Sequence, residues 1–387
     1  MFRSVSLRAK LLWSPCLFVR AYPEFSMQID YQLLPESARK TPPAQETSLG
    51  FGMLRTNHMF LMNYADGGWQ NPRIVPYGPI PLMPGAMCLH YGQTLFEGIK
   101  AFRHDDGEIY IFRPDQNAER SNASAETLCM PTIPVALYLE ALDRLIDVER
   151  DWCPGLPESS LYIRPFMFAS QDALGVRPSK EYIFCVMLSP SGPYYPGGFS
   201  KAIRLLVSKK FHRAVSGGTG TAKAGGNYAA SLRAAEYAFS QGAAQVLYLN
   251  ADNTQIEEAG AMNHFHVRKD GTFVIPEFTD TILRSVTSLS VLELGRMGKI
   301  KARTETIMLD SFLADLASGE IIEAGGFGTA AVISPVGEYL LEDGTLITVG
   351  GGAVGEYSRA LYAMFSAFQT GKSPAPEGWL HKVERRV

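Results

Sequence analysis

The spacing of apolar residues predicts a chain of alternating helices and strands. Helical spacing runs through residues 135–152, which end before Pro154, and through residues 357–368. The same reasoning predicts helices over 286–296 and 310–318. Short apolar runs between turn residues predict strands over 182–188, 203–207, 246–249, 262–267, 273–275 and 330–333. This mixture indicates an α/β or α+β protein.

Turn and helix-end residues add two predictions. Asp106-Gly107 separates the apolar runs 99–102 and 108–112, and because Asp-Gly tolerates positive φ, a hairpin is expected there. A second pattern is a helical stripe that ends at Gly242. Its members are Tyr228, Leu232, Ala235 and Phe239.

A segment rich in Pro and Gly divides the chain. Residues 189–200, SPSGPYYPGGFS, contain three Pro and three Gly, which is typical of a linker. We therefore predict an extended N-terminal segment over 1–50, a small domain over 51–196, a linker over 197–202 and a large domain over 203–387. Residues 216–231 and 323–331 are rich in Gly, and alone the second of these is expected to be a tight bend.

The first 26 residues differ from the rest of the chain. They carry Arg3, Arg8, Lys10 and Arg20, and no acidic residue precedes Glu24. This composition is typical of a transit peptide and loosely of a secretory signal. The alternative is an over-extended start with Met27 as the true initiator. In each case the segment is expected to lie outside the fold.

Composition restricts the class of partner. Hydrophobic residues make up 46% of the 387 residues, and the formal net charge is −3. Such a chain has no bulk attraction for nucleic acid or anionic lipid, so we expect a local site for a small molecule.

The five cysteines form no CxxC pair, which argues against zinc and redox motifs and predicts buried thiols. No apolar run approaches the about 20 residues of a membrane span. We predict a cytoplasmic location, or a mitochondrial one if residues 1–26 are a transit peptide.

The Gly-rich segment over 216–231, SGGTGTAKAGGNYAAS, is the strongest candidate for chemistry. Five Gly surround Lys223 immediately before a predicted helix, so backbone N–H groups could meet an anion. The loop lacks the Gly-Lys-[Ser/Thr] of a Walker loop and the third Gly of a dinucleotide fingerprint. By itself it could equally be a flexible turn with a solvated lysine.

Several blocks together resemble the branched-chain aminotransferases, which are fold-type IV enzymes of pyridoxal phosphate (PLP). The similarity runs from about residue 51 to about residue 370. It implies a smaller N-terminal α/β domain and a larger C-terminal pseudo-barrel domain. The blocks are LHYGQTLFEGIKAFR (89–103), IFRPDQNAER (111–120), LYIRP (161–165), GPYYPGG (192–198), TAKAGGNYAAS (221–231), IEEAGAMN (256–263), DTILRSVTSLS (280–290) and FGTAAVISPV (327–336).

The resemblance implies a set of cofactor residues. Lys223 would form the Schiff base and, once free, carry the proton between the substrate Cα and the cofactor. Glu258 would keep the ring nitrogen protonated, with Glu257 as its solvated neighbour, and Tyr228 would bond the phenolic oxygen. The phosphate would be held by Arg120, by backbone N–H groups of Val286 and Thr287 and by the hydroxyl of Thr329.

It also implies the substrate residues, although any one of the aromatic side chains among them, taken alone, is more typical of a core residue. Arg164 would meet the distal carboxylate of glutamate, and Tyr194 would close over the site from the linker. The apolar wall would comprise Tyr91, Phe96 and Tyr162, and the α-carboxylate would be met by backbone N–H groups of Ala330 and Ala331.

Three positions depart from the family pattern. Arg284-Ser285 replaces a common Pro-Gly before the phosphate turn, which puts the turn's geometry in question. Ala261 replaces a Thr of some members. The 331–334 segment lacks the CxxC pair of some animal members, so no thiol switch is predicted.

The implied reaction is transfer of the amino group of L-leucine, L-isoleucine or L-valine to 2-oxoglutarate, which gives L-glutamate. The family also implies ping-pong kinetics and a homodimer. No metal is expected.

Alternative functions are those of a D-amino acid transaminase or an aminodeoxychorismate lyase, which are typically shorter and lack the LHYGQTLFEG block. A non-catalytic PLP-binding or scaffold protein and a nucleotide-binding protein are further alternatives.

Overall fold

The computed structural model describes residues 28–44, 49–192, 198–329 and 331–386. Within these ranges the chain forms two nine-stranded sheets with seven α-helices. The predicted transit peptide or over-extended start lies outside the described residues. No helix of the described ranges combines the length and the apolar character needed to cross a bilayer.

The first sheet is built mainly by the N-terminal half of the chain. All its neighbouring strands are antiparallel except β1 and β3. Helix α3 packs its apolar side chains on the sheet in one large core. The strands are β1 Asp30–Tyr31, β2 His58–Ala65, β3 Gly68–Pro76, β4 Thr94–Phe96, β5 Ile99–Arg103, β6 Ile109–Phe112, β7 Ser160–Ala169 and β8 Tyr182–Ser191, with helices α1 Met87–Tyr91, α2 Pro114–Thr127 and α3 Val135–Val148.

The second sheet contains a closed barrel. Six of its strands pair in the order β11-β10-β9-β16-β15-β12, and β12 returns to β11, which confirms the predicted pseudo-barrel and the mixed α/β class. Its elements are strands β9 Ile203–Ser208, β10 Gln245–Leu249, β11 Ile256–Ala259, β12 Met262–Arg268, β13 Phe273–Pro276, β14 Ala302–Glu305, β15 Ile321–Gly328, β16 Val332–Leu341 and β17 Leu346–Thr348, and helices α4 Gly225–Ser240, α5 Val286–Arg296, α6 Leu309–Ala317 and α7 Glu356–Gln369.

Both ends of the chain pair with the first sheet. Strand β18, Leu380–Lys382, pairs with β6, although it follows the whole barrel in sequence. At the other end β1 pairs with β3, and the backbone N–H of Leu34 donates to His58 Nε2 at 2.9 Å. The predicted units 1–50 and 203–387 thus each give one strand to this sheet. The linker over 197–202 stays a prediction, since residues 193–197 are outside the described ranges.

Most predicted elements are confirmed. The hairpin joins β5 and β6, and helix α5 has the predicted bounds. The helix predicted over 135–152 ends earlier, at Val148, and a short 3-10 helix, Arg150–Trp152, follows it. The strand predicted over 330–333 begins at Val332, because Thr329 and Ala331 belong to a turn.

The helix predicted from the stripe over 228–239 is confirmed as α4, although it buries small residues, whereas the Gly-rich segment 323–331 was interpreted wrongly. In α4 the bulky Leu232 and Phe239 are 65% and 76% exposed, whereas Ala234 and Ala238 are buried. Small side chains let this helix approach the barrel closely, so its bulky stripe points outward. The tight bend expected over 323–331 is largely strand β15. A Cβ at Gly325 would lie 2.5 Å from the Phe265 ring, so these glycines provide space within the sheet.

The two sheets meet through a shared apolar cluster and a backbone contact. Phe102 and Phe112 of the first sheet pack in one cluster with Phe265 and Phe327 of the barrel strands. Between the sheets, Leu95 forms an isolated bridge with Ala224, the residue before α4. Residues of β4 and of the α4 N-terminus are therefore held side by side.

Candidate active site

At the start of α4, the backbone of Lys223 is held by residues of α2 and β4. Its backbone N–H donates to Ser124 Oγ at 2.9 Å, and its carbonyl accepts from the backbone N–H of Phe96 at 3.1 Å. The Asn227 side chain donates to the carbonyls of Thr219 and Ala222 and so closes the Gly-rich loop. These bonds leave the side chain as the part of Lys223 that is free to move.

The Lys223 amine contacts two aromatic side chains. Its Nζ donates to the Tyr228 hydroxyl at 2.8 Å and lies 4.9 Å from the centre of the Phe96 ring. Tyr228 and Phe96 pack edge to face at 4.7 Å between centroids. The structure therefore brings together the predicted nucleophile and two of its predicted neighbours.

Arg164 lies on the other part of the same aromatic wall. Its guanidinium carbon is 4.9 Å from the centre of Phe96 and 5.3 Å from that of Tyr162. Nη2 donates to the Tyr162 hydroxyl at 3.0 Å. Its buried Nε has no hydrogen-bond partner among the described residues. A cation with an unused donor thus borders an apolar surface, an arrangement that suits a carboxylate as well as an alkyl group.

Glu258 is a buried carboxylate fixed from several sides. It is 3% exposed, and its Oε1 accepts from the backbone N–H of Leu283 at 2.8 Å and from Asn263 at 3.3 Å. Its Oε2 lies 3.0 Å from Arg213 Nε. Burial raises the pKa of Glu258 to about 7, against the opposing charge of Arg213.

The environment of Glu257 differs from the solvated one that was expected. This residue is 5% exposed, and it accepts a hydrogen bond from the Thr281 hydroxyl. Burial raises its pKa as well. Adjacent strand residues point to opposite faces, so the two carboxyls have different partners: Thr281 for Glu257, Leu283 and Asn263 for Glu258.

The predicted phosphate residues line one cavity at the start of α5. Val286, Thr287 and Thr329 share this cavity with Asn117 and Lys100. The helix N-terminus supplies backbone N–H groups and a positive dipole end. Ser285 caps the helix through Oγ, which accepts from Ser288 N at 3.4 Å. The Arg284-Ser285 departure therefore leaves a regular helix start in place.

Arg120 reaches this region in a fixed position. Its Nε and Nη2 donate to the fully buried Glu97 at 2.8 and 2.7 Å, and its Nη1 donates to the Arg284 carbonyl at 3.0 Å. A guanidinium has five N–H groups, so these bonds leave two for a further acceptor. Burial is the largest single effect on the pKa of Glu97 and raises it, but the charge and hydrogen bonds of Arg120, the charge of Lys223 and the Asn117 hydrogen bond together lower it overall.

The structure brings only some of the remaining predicted substrate residues to the site. Tyr91 is 40% exposed, and its hydroxyl donates to the Leu174 carbonyl. Among the described residues, its hydrogen-bond and ring contacts are with Leu174 and His90, so the structure does not place it on the Phe96 wall. Ala331 lies in the turn between β15 and β16, beside Thr329. Tyr194 and Ala330 are outside the described residues.

Sequence reasoning missed three residues that hold the site. Arg213 pairs with Glu258, and Glu97 pairs with Arg120. Asn263 joins Glu258 to the phosphate turn, since its Oδ1 accepts from Ser285 N at 3.1 Å and from the Ser288 hydroxyl at 2.9 Å. Asn263 and Glu97 stand inside quoted blocks, which was a usable signal, whereas Arg213 stands outside all of them.

Metal and thiol expectations concern other parts of the chain. The described residues contain no group of three or more His, Cys, Asp or Glu that could hold a metal ion. Cys153 and Cys185 are buried as predicted, and burial raises the pKa of each to about 12. Cys129, by contrast, is exposed, so the prediction of buried thiols is wrong for this residue.

Comparison with known proteins gives a consistent result. The family model for amino-transferase class IV matches residues 94–338. Branched-chain-amino-acid transaminase 1 of Bacillus subtilis is 46% identical over 339 residues, which are 87% of this chain and 95% of that protein. The branched-chain-amino-acid aminotransferase of Mycobacterium tuberculosis is 41% identical and covers 86% of this chain and 92% of its own.

Solved structures show the same likeness. The branched-chain amino acid aminotransferase of Escherichia coli superposes with a TM-score of 0.70 at 26% identity, covering 85% of this chain and 99% of its own. The T.th. branched-chain amino acid aminotransferase with pyridoxamine 5'-phosphate superposes with a TM-score of 0.68, also at 26% identity, covering 84% and 98%.

Proposed function

This chain belongs to the class IV aminotransferases, and we propose that it is a branched-chain amino acid transaminase. It transfers the amino group of L-leucine, L-isoleucine or L-valine to 2-oxoglutarate. The products are the branched 2-oxo acid and L-glutamate. Relatives named for this activity match it over most of their length and most of its own.

One observation carries the substrate assignment. Lys223 Nζ and the Arg164 guanidinium carbon both lie 4.9 Å from the centre of the Phe96 ring. A substrate that reaches the amine must therefore pass its side chain along an aromatic surface bordered by a cation. An alkyl side chain fits the rings, and the carboxylate of glutamate fits the guanidinium, so one pocket accepts both.

The residues present fit pyridoxal phosphate, on which class IV aminotransferases depend. The cofactor supplies an aldehyde for attachment to an amine and a ring that accepts electrons from the bonds at Cα. Lys223 would be the attachment point and Tyr228 would bond the phenolic oxygen. Glu258 would face the ring nitrogen. The phosphate would lie in the cavity of Val286, Thr287 and Thr329, with Arg120 as its charged partner.

Each chain residue then has a defined task. Lys223 Nζ would be the attachment point for the cofactor and, once free, the base that takes the proton from the substrate Cα and returns it to the cofactor carbon. The Tyr228 hydroxyl, 2.8 Å away, holds that amine in place. Glu258 keeps a proton on the ring nitrogen by its negative charge. Backbone N–H groups of Ala330 and Ala331 are proposed to bind the α-carboxylate, with Tyr194 closing the pocket.

An amino-donor screen with 2-oxoglutarate tests the assignment. Purified protein reconstituted with PLP should form glutamate from L-leucine, L-isoleucine and L-valine. D-alanine and L-phenylalanine are the matched donors for the alternative enzymes and for non-specific aromatic binding. Activity confined to either of these donors would overturn the assignment. A protein that cannot be reconstituted with PLP would overturn the enzyme class as well.

Assembly and location extend the proposal. A homodimer is implied by the family, and the exposed Leu232 and Phe239 on α4 supply apolar surface for a contact. Sedimentation equilibrium should therefore give twice the chain mass. The relatives named above are bacterial proteins, which supports a cytoplasmic location and gives no support to mitochondrial import.

A further inference from the structure

Arg213 is a buried cation that contacts the proposed site without belonging to its predicted residues. Its side chain is 7% exposed, and its Nε lies 3.0 Å from Glu258 Oε2. It precedes Lys223 by ten residues and follows strand β9. Placing a guanidinium in such a position costs desolvation free energy, so its ion pair with Glu258 has to offset that cost.

The same guanidinium also holds two backbone segments. Nη2 donates to the Gly220 carbonyl at 2.8 Å and to the Thr281 carbonyl at 2.5 Å. Gly220 belongs to the loop that carries Lys223, and Thr281 to the segment that leads into α5. These segments touch at Gly220, where a Cβ would lie 2.6 Å from Thr281 Cα. Arg213 therefore joins the carboxylate, the lysine loop and the phosphate turn.

Among the charged groups around Glu258, Arg213 favours its ionised form most strongly. The titratable groups that act on this carboxyl are Arg213, Lys223 and Glu257, and Tyr248 also lies near it. Burial alone favours the neutral acid, and Glu257 opposes a second negative charge. Arg213 is the cation that opposes both effects most strongly. The pKa of Glu258 is already raised to about 7 with Arg213 in place, so loss of Arg213 is expected to raise it further and to favour the neutral acid at pH 7.

We propose that Arg213 is a positioning residue for transamination: it keeps Glu258 ionised and oriented, and Glu258 in turn keeps the ring nitrogen of the cofactor protonated. The inference rests on the proposed function. Arg213 itself touches neither substrate nor cofactor in this proposal. A merely structural residue would affect folding and cofactor affinity, but it would leave the ring nitrogen in its protonated form.

Nitrogen NMR of the holoenzyme distinguishes these roles. The enzyme is loaded with PLP labelled with ¹⁵N at the ring nitrogen, whose chemical shift reports protonation. At pH 7 the wild type should show a protonated nitrogen and Arg213→Met an unprotonated one. Arg213→Lys, which retains the charge, should restore protonation. Arg303→Met is the matched control, because Arg303 forms an exposed pair with Glu305.

Kinetics give a second readout. The turnover number kcat of Arg213→Met with leucine should fall about 100-fold, as for removal of one preorganised electrostatic partner. The KM for leucine should stay within about threefold of the wild type, because the residue acts on the cofactor rather than on binding. Arg213→Lys should recover most of kcat, whereas a structural role predicts equal losses for Met and Lys.

Each outcome decides the proposal. A protonated ring nitrogen in Arg213→Met would overturn it, even with lowered cofactor affinity. Should that variant fail to fold, Arg213→Gln decides, since its amide keeps donors for the two carbonyls and removes only the charge. A wild type that transaminates leucine with an unprotonated nitrogen would overturn this inference alone. A wild type without transaminase activity would overturn both this inference and the proposed function.

Discussion

The barrel and the first sheet contribute two different ends to the proposed site. At the barrel end, Glu258 is 3% exposed and has three partners, Arg213, Leu283 and Asn263. At the sheet end, Arg164 is half-buried, with one bond to Tyr162 and one buried donor unused among the described residues. A closed barrel has no free edge in its ring of strands and can hold a fixed carboxylate. The open sheet presents a surface that can meet two kinds of side chain.

This difference teaches how one site handles a constant cofactor and variable substrates. At the cofactor end, Glu258 accepts hydrogen bonds from Leu283 and Asn263 and forms an ion pair with Arg213, because a carboxylate that must stay ionised in a buried place needs such partners. At the substrate end, the Arg164 guanidinium borders an aromatic surface and makes one side-chain hydrogen bond, to Tyr162. Lys223 stands between them, since its backbone is bonded to Ser124 of α2 and Phe96 of β4 while its side chain meets Tyr228 of α4.

Removal of Lys223 should have the largest effect on transamination, because the cofactor end and the substrate end both act through this residue. Lys223→Ala should lower leucine transamination by about 10⁴-fold or more, since attachment and proton transfer are both lost. The circular dichroism spectrum should be unchanged. Lys210→Ala, which removes an exposed lysine that contacts Phe211 and Tyr237, is the control. Retained turnover in Lys223→Ala would place the nucleophile elsewhere.

Glu258→Gln tests the cofactor end. The amide cannot balance a positive ring nitrogen, so kcat should fall on the order of 100-fold. The loss should be the same for leucine and for glutamate, because both half-reactions use the same ring. The neighbouring Glu257→Gln should have a much smaller effect, since that carboxyl bonds Thr281. Equal losses in the two variants would contradict the distinction between these carboxyls.

Arg164→Leu tests the substrate end and should affect the KM values of 2-oxoglutarate and leucine differently. Loss of a charge-assisted hydrogen bond should raise the KM for 2-oxoglutarate about tenfold or more. The KM for leucine should change little, because leucine needs only the aromatic wall. Steady-state kinetics with each substrate varied in turn measure both values, with Arg303→Leu as the control. A parallel rise in both KM values would show that Arg164 maintains the pocket as a whole.

Sequence alone predicted the parts of the site that are local in the chain. Lys223 and Tyr228 are five residues apart at a loop and helix start, so one motif contains both. The pairs Arg213–Glu258 and Glu97–Arg120 join distant segments, and no spacing rule finds such pairs. The family resemblance supplied the roles of Lys223, Tyr228, Glu258 and Arg120, but the partners of the last two required the fold.

Helices built on small residues were the weak point of the fold prediction. Helix α2 buries Ala118, Ser121 and Ala125, which leave almost no apolar periodicity to read. Helix α4 was predicted from its bulky stripe, although it approaches the barrel through Ala234 and Ala238. Helices α5, α6 and α7 bury larger apolar side chains and were predicted almost to the residue.

The smallest expected effect concerns β18, which returns the C-terminus to the first sheet. His381 Nε2 bonds the Asp143 carboxylate of α3 at 2.8 Å. Burial lowers the pKa of His381, but the Asp143 carboxylate outweighs burial and raises it overall. A raised pKa in the folded state means that this pair stabilises the fold below the ordinary histidine pKa. The contribution is lost as pH rises through the folded-state value.

Asp143→Asn should therefore lower the free energy of unfolding by about 0.5 kcal/mol at pH 5.5, the size of a partly exposed ion pair. At pH 9 the difference from the wild type should nearly vanish. Urea unfolding at the two pH values measures it, and PLP affinity should stay unchanged, because the cofactor contacts lie mainly on the barrel side. A loss of PLP affinity that accompanies the stability loss would show that the open sheet also sets the cofactor end, and the contrast between the two ends would no longer hold.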